Sequence, residues 1–191
     1  MSPKRSLAVF ESVSVDGYFT DASNDMSWAY DGATDPEFAE FTAKNAEGGG
    51  ALVFGRVTYQ MMASWWPTPA AAQAMPEVAA GMNAMPKIVF SSSLERADWS
   101  GTTLIRTEPV AAMRKLKATA GPDMVILGSG KLVAALAGAG LVDEFQLVTV
   151  PLVLGAGRTI FDGIDGPRPM RLVEERTFRN GRIFARYAAG A

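Results

Sequence analysis

Residues 124–139 read MVILGSGKLVAALAGA: four apolar residues in a row, a Gly128-Ser129-Gly130 turn, and then Lys131 opening an apolar, helix-like run. A four-residue run bounded by turn residues is too brief for a helix and reads as a strand covered on both faces. Three more runs of this kind lie upstream, at residues 7–10, 52–54 and 88–90. Helix-like segments at 36–47, 57–65, 110–118 and 131–139 fall between or after them. Asp35-Pro36 has the form of an N-cap followed by proline at the first helical position, and Gly48, Gly121 and Gly140 stand where helices stop. This alternation predicts an α/β domain built on a parallel sheet.

Beyond residue 141 the pattern changes. Residues 145–150 alternate polar and apolar, and 171–187 carry Asn180-Gly181 between two strand-like runs, a strong hairpin signal. The C-terminal part is therefore expected to add antiparallel strands to the sheet edge, giving a mixed, mainly parallel sheet. Residues 67–85, rich in Ala and Pro, read as an inserted loop with a short helix. No internal repeat or linker interrupts the chain, so residues 1–191 are expected to form one domain.

Composition narrows the chemistry. Hydrophobic residues make up 48% and charged residues 20% of the 191, with a formal net charge of -2, which fits a globular protein and makes nucleic acid a poor partner. There is no cysteine and no histidine. Disulfides, thiolate metal sites, Ser-His-Asp triads and the usual zinc sites are thereby excluded, and no metal is expected. Lys4 and Arg5 precede an apolar run too short for a signal peptide, and the apolar run at 132–142 is about half the roughly 20 residues a membrane span needs. A cytoplasmic protein is the expectation.

The glycine-rich stretches fail the common nucleotide templates. A P-loop over Gly128-Ser129-Gly130-Lys131 needs glycine where Val125 stands and a hydroxyl where Leu132 stands; a Rossmann fingerprint needs glycine at Val133, or at Ile160 for Gly155-Ala156-Gly157. What remains is placement. Gly128-Ser129-Gly130 joins a strand to a helix, Gly55-Arg56 does the same ahead of Thr58, and a third strand ends in Ser91-Ser92-Ser93. Helix N-termini at the carboxyl ends of strands attract anions, and three such ends suit an extended polyanion such as a dinucleotide. Arg56 and Lys131 add positive charge suited to a 2′-phosphate, which favours NADPH over NADH.

The chain resembles the dihydrofolate reductase fold, in its riboflavin-biosynthesis reductase-domain form. The residues that carry this are Ser14-Val15-Asp16-Gly17, Gly55-Arg56-Val57-Thr58, Gly128-Ser129-Gly130, and Val142-Asp143-Glu144 continuing through Pro151-Leu152-Val153-Leu154-Gly155-Ala156-Gly157-Arg158 to Phe161. The resemblance implies a three-layer α/β fold in which Gly55, Arg56 and Thr58 hold the cofactor phosphates. It also implies that Ser91 and Ser92 lie by the adenosine ribose and its 2′-phosphate, and that Gly128, Ser129, Gly130, Lys131 and Leu132 cradle the pyrophosphate. Ser14, Gly17 and Tyr18 would border the nicotinamide, with Trp28 on the substrate wall. A stand-alone, homodimeric reductase is implied, taking a pterin-like or pyrimidine-like heterocycle, including a substrate of the 5-amino-6-(5-phosphoribosylamino)uracil type.

Hydride chemistry needs no histidine, only a proton source. Two carboxylates are candidates for catalysis. Glu37, four residues before Phe41 on one helix face, is either a proton source or a first-turn carboxylate complementing the helix dipole. Asp16 either touches the substrate or hydrogen-bonds its own loop. Asp35 is better read as an N-cap, Asp143 and Glu144 as structural, and Met61, Met62, Met75, Met82 and Met85 as gap-fillers. The alternative to an enzyme is a non-catalytic nucleotide-binding sensor or dimeric module on the same fold.

Overall fold

The computed structural model describes residues 5–30, 35–46 and 48–190. Lys4, and Glu47 at the end of the first expected helix, lie outside them. The elements run β1 (Leu7–Ser14), β2 (Thr20–Asp21), a 3-10 turn (Ser27–Ala29), α1 (Pro36–Ala46), β3 (Ala51–Gly55), α2 (Arg56–Trp65), α3 (Pro69–Ala74) and α4 (Pro76–Ala84). There follow β4 (Lys87–Phe90), β5 (Thr102–Ile105), α5 (Pro109–Ala118), β6 (Met124–Leu127), α6 (Gly130–Gly138), β7 (Glu144–Val150), β8 (Gly157–Arg158), β9 (Met170–Thr177) and β10 (Ile183–Ala189).

Eight strands form one sheet in the order β5-β4-β3-β6-β1-β7-β10-β9, and β2 pairs separately with β8. From β5 to β7 all pairs are parallel; β10 runs antiparallel to β7 and to β9. The expected mixed sheet is present, with β7 joining the parallel set and the antiparallel part starting one strand later. Alternate residues of the central strands feed two cores. Leu7, Val9, Val53 and Ile126 pack with Met113 of α5 and Val133 and Leu136 of α6. On the other face Leu52, Phe54 and Val89 pack with Tyr59 of α2, Val78 and Met82 of α4, and Ala46 of α1. Helices on both faces of one sheet make the three layers expected of the fold.

Two stretches depart from the sequence reading. Residues 67–85 form two helices rather than a loop with one, because Pro69 and Pro76 each start a helix at a position that needs no N–H donor, and the Thr68 hydroxyl caps the first by accepting from Ala71 N at 3.2 Å. The edge strand β5 carries no strand signal in the sequence: Thr102, Leu104 and Ile105 are only partly covered and Thr103 is exposed, so it lacks the continuous apolar run of a central strand.

One detail of register positions the site. β1 pairs with β6 only from Leu7↔Met124 to Phe10↔Leu127, whereas its pairing with β7 continues to Ser14↔Val150. Because β6 turns away into α6, the last residues of β1, from Glu11 to Ser14, have no strand of the described residues on their β6 side. Such a split at the carboxyl ends of parallel strands is where open α/β sheets take ligands.

Candidate functional site

The glycine-serine turn after β6 and the start of α2 after β3 are neighbours, since β3 pairs with β6. Ser129 ties them together. Its hydroxyl accepts from Gly55 N at 2.8 Å and donates to Leu127 O at 3.1 Å, and its own N–H donates to the Thr58 hydroxyl at 3.1 Å. Ser129 reaches this geometry with a left-handed backbone, φ 62. Gly128 before it (φ 55) leaves no room for a side chain: a Cβ there would lie 3.0 Å from Thr58 Cγ2, and one on Gly130 would lie 2.5 Å from the Phe19 ring.

Neither α2 nor α6 has a side chain capping its first turn. Leu132 N and Val133 N turn back onto Ser129 O, while Gly130 N and Lys131 N have no protein acceptor among the described residues. Two positive helix ends are therefore fixed side by side at adjacent strand ends. Arg56 and Lys131 are exposed beside them, the former donating to Gln60 Oε1 at 3.0 Å. On the next strand along, the Ser91 hydroxyl caps its own turn by accepting from Ser93 N and Leu94 N, and Ser92 is exposed.

Beyond β1, residues 14–18 close a tight turn. The Ser14 hydroxyl accepts from Tyr18 N at 3.0 Å and donates to Asp16 Oδ1 at 2.6 Å, and Gly17 N donates to Ser14 O at 2.9 Å. The Asp16 carboxylate also accepts from Leu154 N at 3.1 Å and Gly155 N at 2.7 Å. The Ser14 hydroxyl first, and these backbone donors with it, lower the Asp16 pKa to about 2. Asp16 is thus a fixed anion tying the β1 loop to the Pro151–Gly157 stretch, and it holds no proton to give near neutral pH.

Below the split lies a cavity of about 510 Å³ between the sheet and helices α1, α2 and α4. Thr58 and Gly128 line it, so the paired helix ends and the cavity share walls. On the β1 side its wall includes Glu11, only 4% exposed. Glu11 Oε1 accepts from Ser12 N at 3.0 Å; Oε2 is buried with no hydrogen-bond partner among the described residues. Burial, against a smaller opposing effect of the Ser12 N–H, raises its pKa to about 8. Tyr30 lies on the same wall, its own pKa raised by desolvation first and then by the Glu11 charge.

The two other expected site residues sit elsewhere. Glu37 pairs with Arg176 of β9 at 2.7 Å, and Arg176 lies over the Phe178 ring; Glu37 does not line the cavity. Trp28 is buried against Ala29, Val150 and Leu154, with its indole N–H donating to Asp25 O at 3.2 Å. Asp35 caps α1, its Oδ1 accepting from Glu37 N at 2.9 Å while Oδ2 accepts from Asn180 N at 3.0 Å, which pins the helix to the Asn-Gly turn of the hairpin. Asp143 accepts from Leu7 N and pairs with buried Lys117, a structural role. Glu144 does reach the cavity wall, held there by Arg186 at 3.0 Å.

Glu11 is the residue that sequence reasoning missed. Its signal is an acidic residue extending an apolar strand at a position of core parity, two beyond Val9 and two before Val13. No helix of the described residues is long and apolar enough to cross a membrane, and none of them form a group of three or more acidic side chains suited to a metal ion.

A three-layer α/β sheet split at β1, with anion-attracting helix ends at the split, defines the dihydrofolate reductase-like class. Residues 5–184 match the RibD C-terminal domain, and the chain belongs to that family. It is 24% identical over 180 residues to YyaP of Bacillus subtilis (strain 168), with 93% of this chain and 92% of that protein covered. Among solved structures it is similar to a protein from Shewanella sp. PV-4 assigned to riboflavin biosynthesis, at 19% identity and a TM-score of 0.71, covering 97% of this chain and 99% of that one. It is also similar to Enterococcus faecalis dihydrofolate reductase solved with NADP(H), at 17% identity and a TM-score of 0.60, covering 97% of each.

Proposed function

We propose that this chain is an NADPH-dependent oxidoreductase that reduces a small heterocycle, pterin-like or pyrimidine-like, including substrates of the 5-amino-6-(5-phosphoribosylamino)uracil type. The observation that carries this reading is the pair of uncapped helix ends locked together by Ser129 and sharing Thr58 and Gly128 with the cavity. Backbone N–H groups converging on one place bind an extended anion without a counter-charge from side chains. Gly55, Arg56 and Thr58 on one side and Gly128 to Leu132 on the other would hold its phosphates, with Ser91 and Ser92 toward the adenosine end. Arg56 and Lys131 would meet a 2′-phosphate, and Ser14, Gly17 and Tyr18 would border the nicotinamide. The similarity to an enzyme solved with NADP(H) supports the same choice of cofactor.

When bound, a reduced nicotinamide supplies hydride; the chain's part is to orient the ring, exclude water and deliver a proton. With Asp16 ionised and Glu37 paired, neither is the better proton source. The reading takes residues 1–191 as one domain, acting as a cytoplasmic homodimer. Thermal unfolding with NADPH and with NADH tests it: at about a hundred times the dissociation constant a ligand adds roughly 2.7 kcal/mol. Stabilisation by NADPH well beyond NADH is expected; no shift with either would leave a binding module without this cofactor.

A further inference from the structure

We propose that Glu11 is the proton donor of this site, passing the proton on its unpartnered Oε2 to the heteroatom of a C=N or C=O bond in the substrate. The inference rests on the reductase reading and adds to it the residue that completes the reaction. Three observations converge on Glu11. The residue is 4% exposed and is part of the cavity wall, its Oε2 has no partner among the described residues, and it begins the part of β1 left open where β6 turns away. A buried polar atom with no partner calls for one that the folded chain does not supply, and a substrate heteroatom is one such partner.

The ionisable groups that the described residues place around the cavity leave Glu11 without a counter-ion. Lys44 of α1 pairs with Glu40, Glu144 of β7 pairs with Arg186, Asp123 accepts from Ser6 N at the opposite end of the β1–β6 ladder, and Tyr30 is neutral at ordinary pH. Among the described residues no cation therefore holds Glu11 in its charged form, and burial keeps it protonated to about pH 8. The step balances: the substrate carbon takes hydride from the reduced nicotinamide, the electron pair of the double bond moves to the heteroatom, and that atom takes the Glu11 proton. The products are the reduced substrate, oxidised nicotinamide and a Glu11 carboxylate. Water then returns the proton, with exposed Tyr30 on the same wall marking the solvent side.

The test uses the full chain and its Glu11→Gln variant. An infrared titration should show a protonated-carboxyl stretch, missing from the variant, that disappears with a midpoint near pH 8. NADPH binding is measured for both, then NADPH consumption with a 7,8-dihydropterin, whose C=N bond takes hydride at carbon and a proton at nitrogen. The variant should lose about a hundredfold or more in kcat, in line with general acid catalysis, while its NADPH affinity stays within about twofold. Wild-type kcat should fall above about pH 8. A carboxyl that titrates in the ordinary range, or a variant that turns over like the wild type, overturns the proposal. So does a wild type that binds NADPH and does not reduce the dihydropterin. A wild type that does not bind NADPH removes the reductase reading instead, and the infrared titration then still decides whether Glu11 holds the proton.

Discussion

A carboxyl group buried in a strand with one oxygen unpaired lowers stability unless it stays neutral, and Glu11 is placed to show the effect directly. Its folded pKa of about 8 lies above the unfolded value of 4.5. The stability it contributes is therefore fully present below about pH 4.5, declines above it, and is lost by the time pH has risen through about 8. Glu11→Gln should unfold at nearly the wild-type temperature in acid and be the more stable protein at about pH 9, by a few kcal/mol at most. Equal stability at both pH values would mean that Glu11 is already ionised in the fold. Arg56 is the other residue whose role a single substitution can isolate. It is exposed and, among the described residues, held by Gln60, so Arg56→Ala should leave folding intact. If Arg56 meets the 2′-phosphate, NADPH affinity should drop about tenfold to a hundredfold and NADH affinity much less. Equal losses for the two would remove that role. Asp16 and Glu37 look interchangeable with Glu11 as acids in the sequence; their partners, Ser14 with Leu154 and Gly155 for one and Arg176 for the other, separate them.

At the scale of elements, the joint between the ends of β3 and β6 matters more than either helix alone. Ser129→Ala removes the acceptor of Gly55 N but keeps the helix and its glycines. The expected cost is about 1 kcal/mol of stability, or roughly 2–4 °C in Tm, with NADPH affinity reduced about tenfold. A lower Tm with unchanged NADPH affinity would separate the joint from the cofactor site. Most elements were legible in the sequence because their signals are local: apolar runs at 52–54, 88–90 and 124–127, a proline at a helix start, Asn180-Gly181 in a hairpin. The failures were local too. β1 continues four residues past the expected end at Phe10 because Glu11, Ser12 and Ser14 are polar residues serving inside the sheet, where pattern reading stops. β5 was hidden by its threonines, since an edge strand covered only in part needs no continuous apolar run.

For the whole molecule, the order of strands decides where chemistry can happen. β1 sits between β6 and β7, and the unequal lengths of its two ladders open the sheet above Phe10. α1 crosses the face of β7 and β10, where Phe41 packs on Val148, Phe178 and Phe184, and that packing carries Glu37 to Arg176 and away from the cavity. The α/β class, the mixed sheet, the two strand-to-helix junctions and the exclusion of cysteine and histidine chemistry can all be read along the chain. Each of these is written in residues that are neighbours along the chain or in the chain's composition. Which junctions meet, the Ser129 link between them, the anchoring of Asp16 to a loop 138 residues away and the enclosure of Glu11 all arise on folding. A pKa and an unpaired oxygen depend on what surrounds a side chain, and the groups around Glu11 come from strands and helices brought together only by the folded sheet.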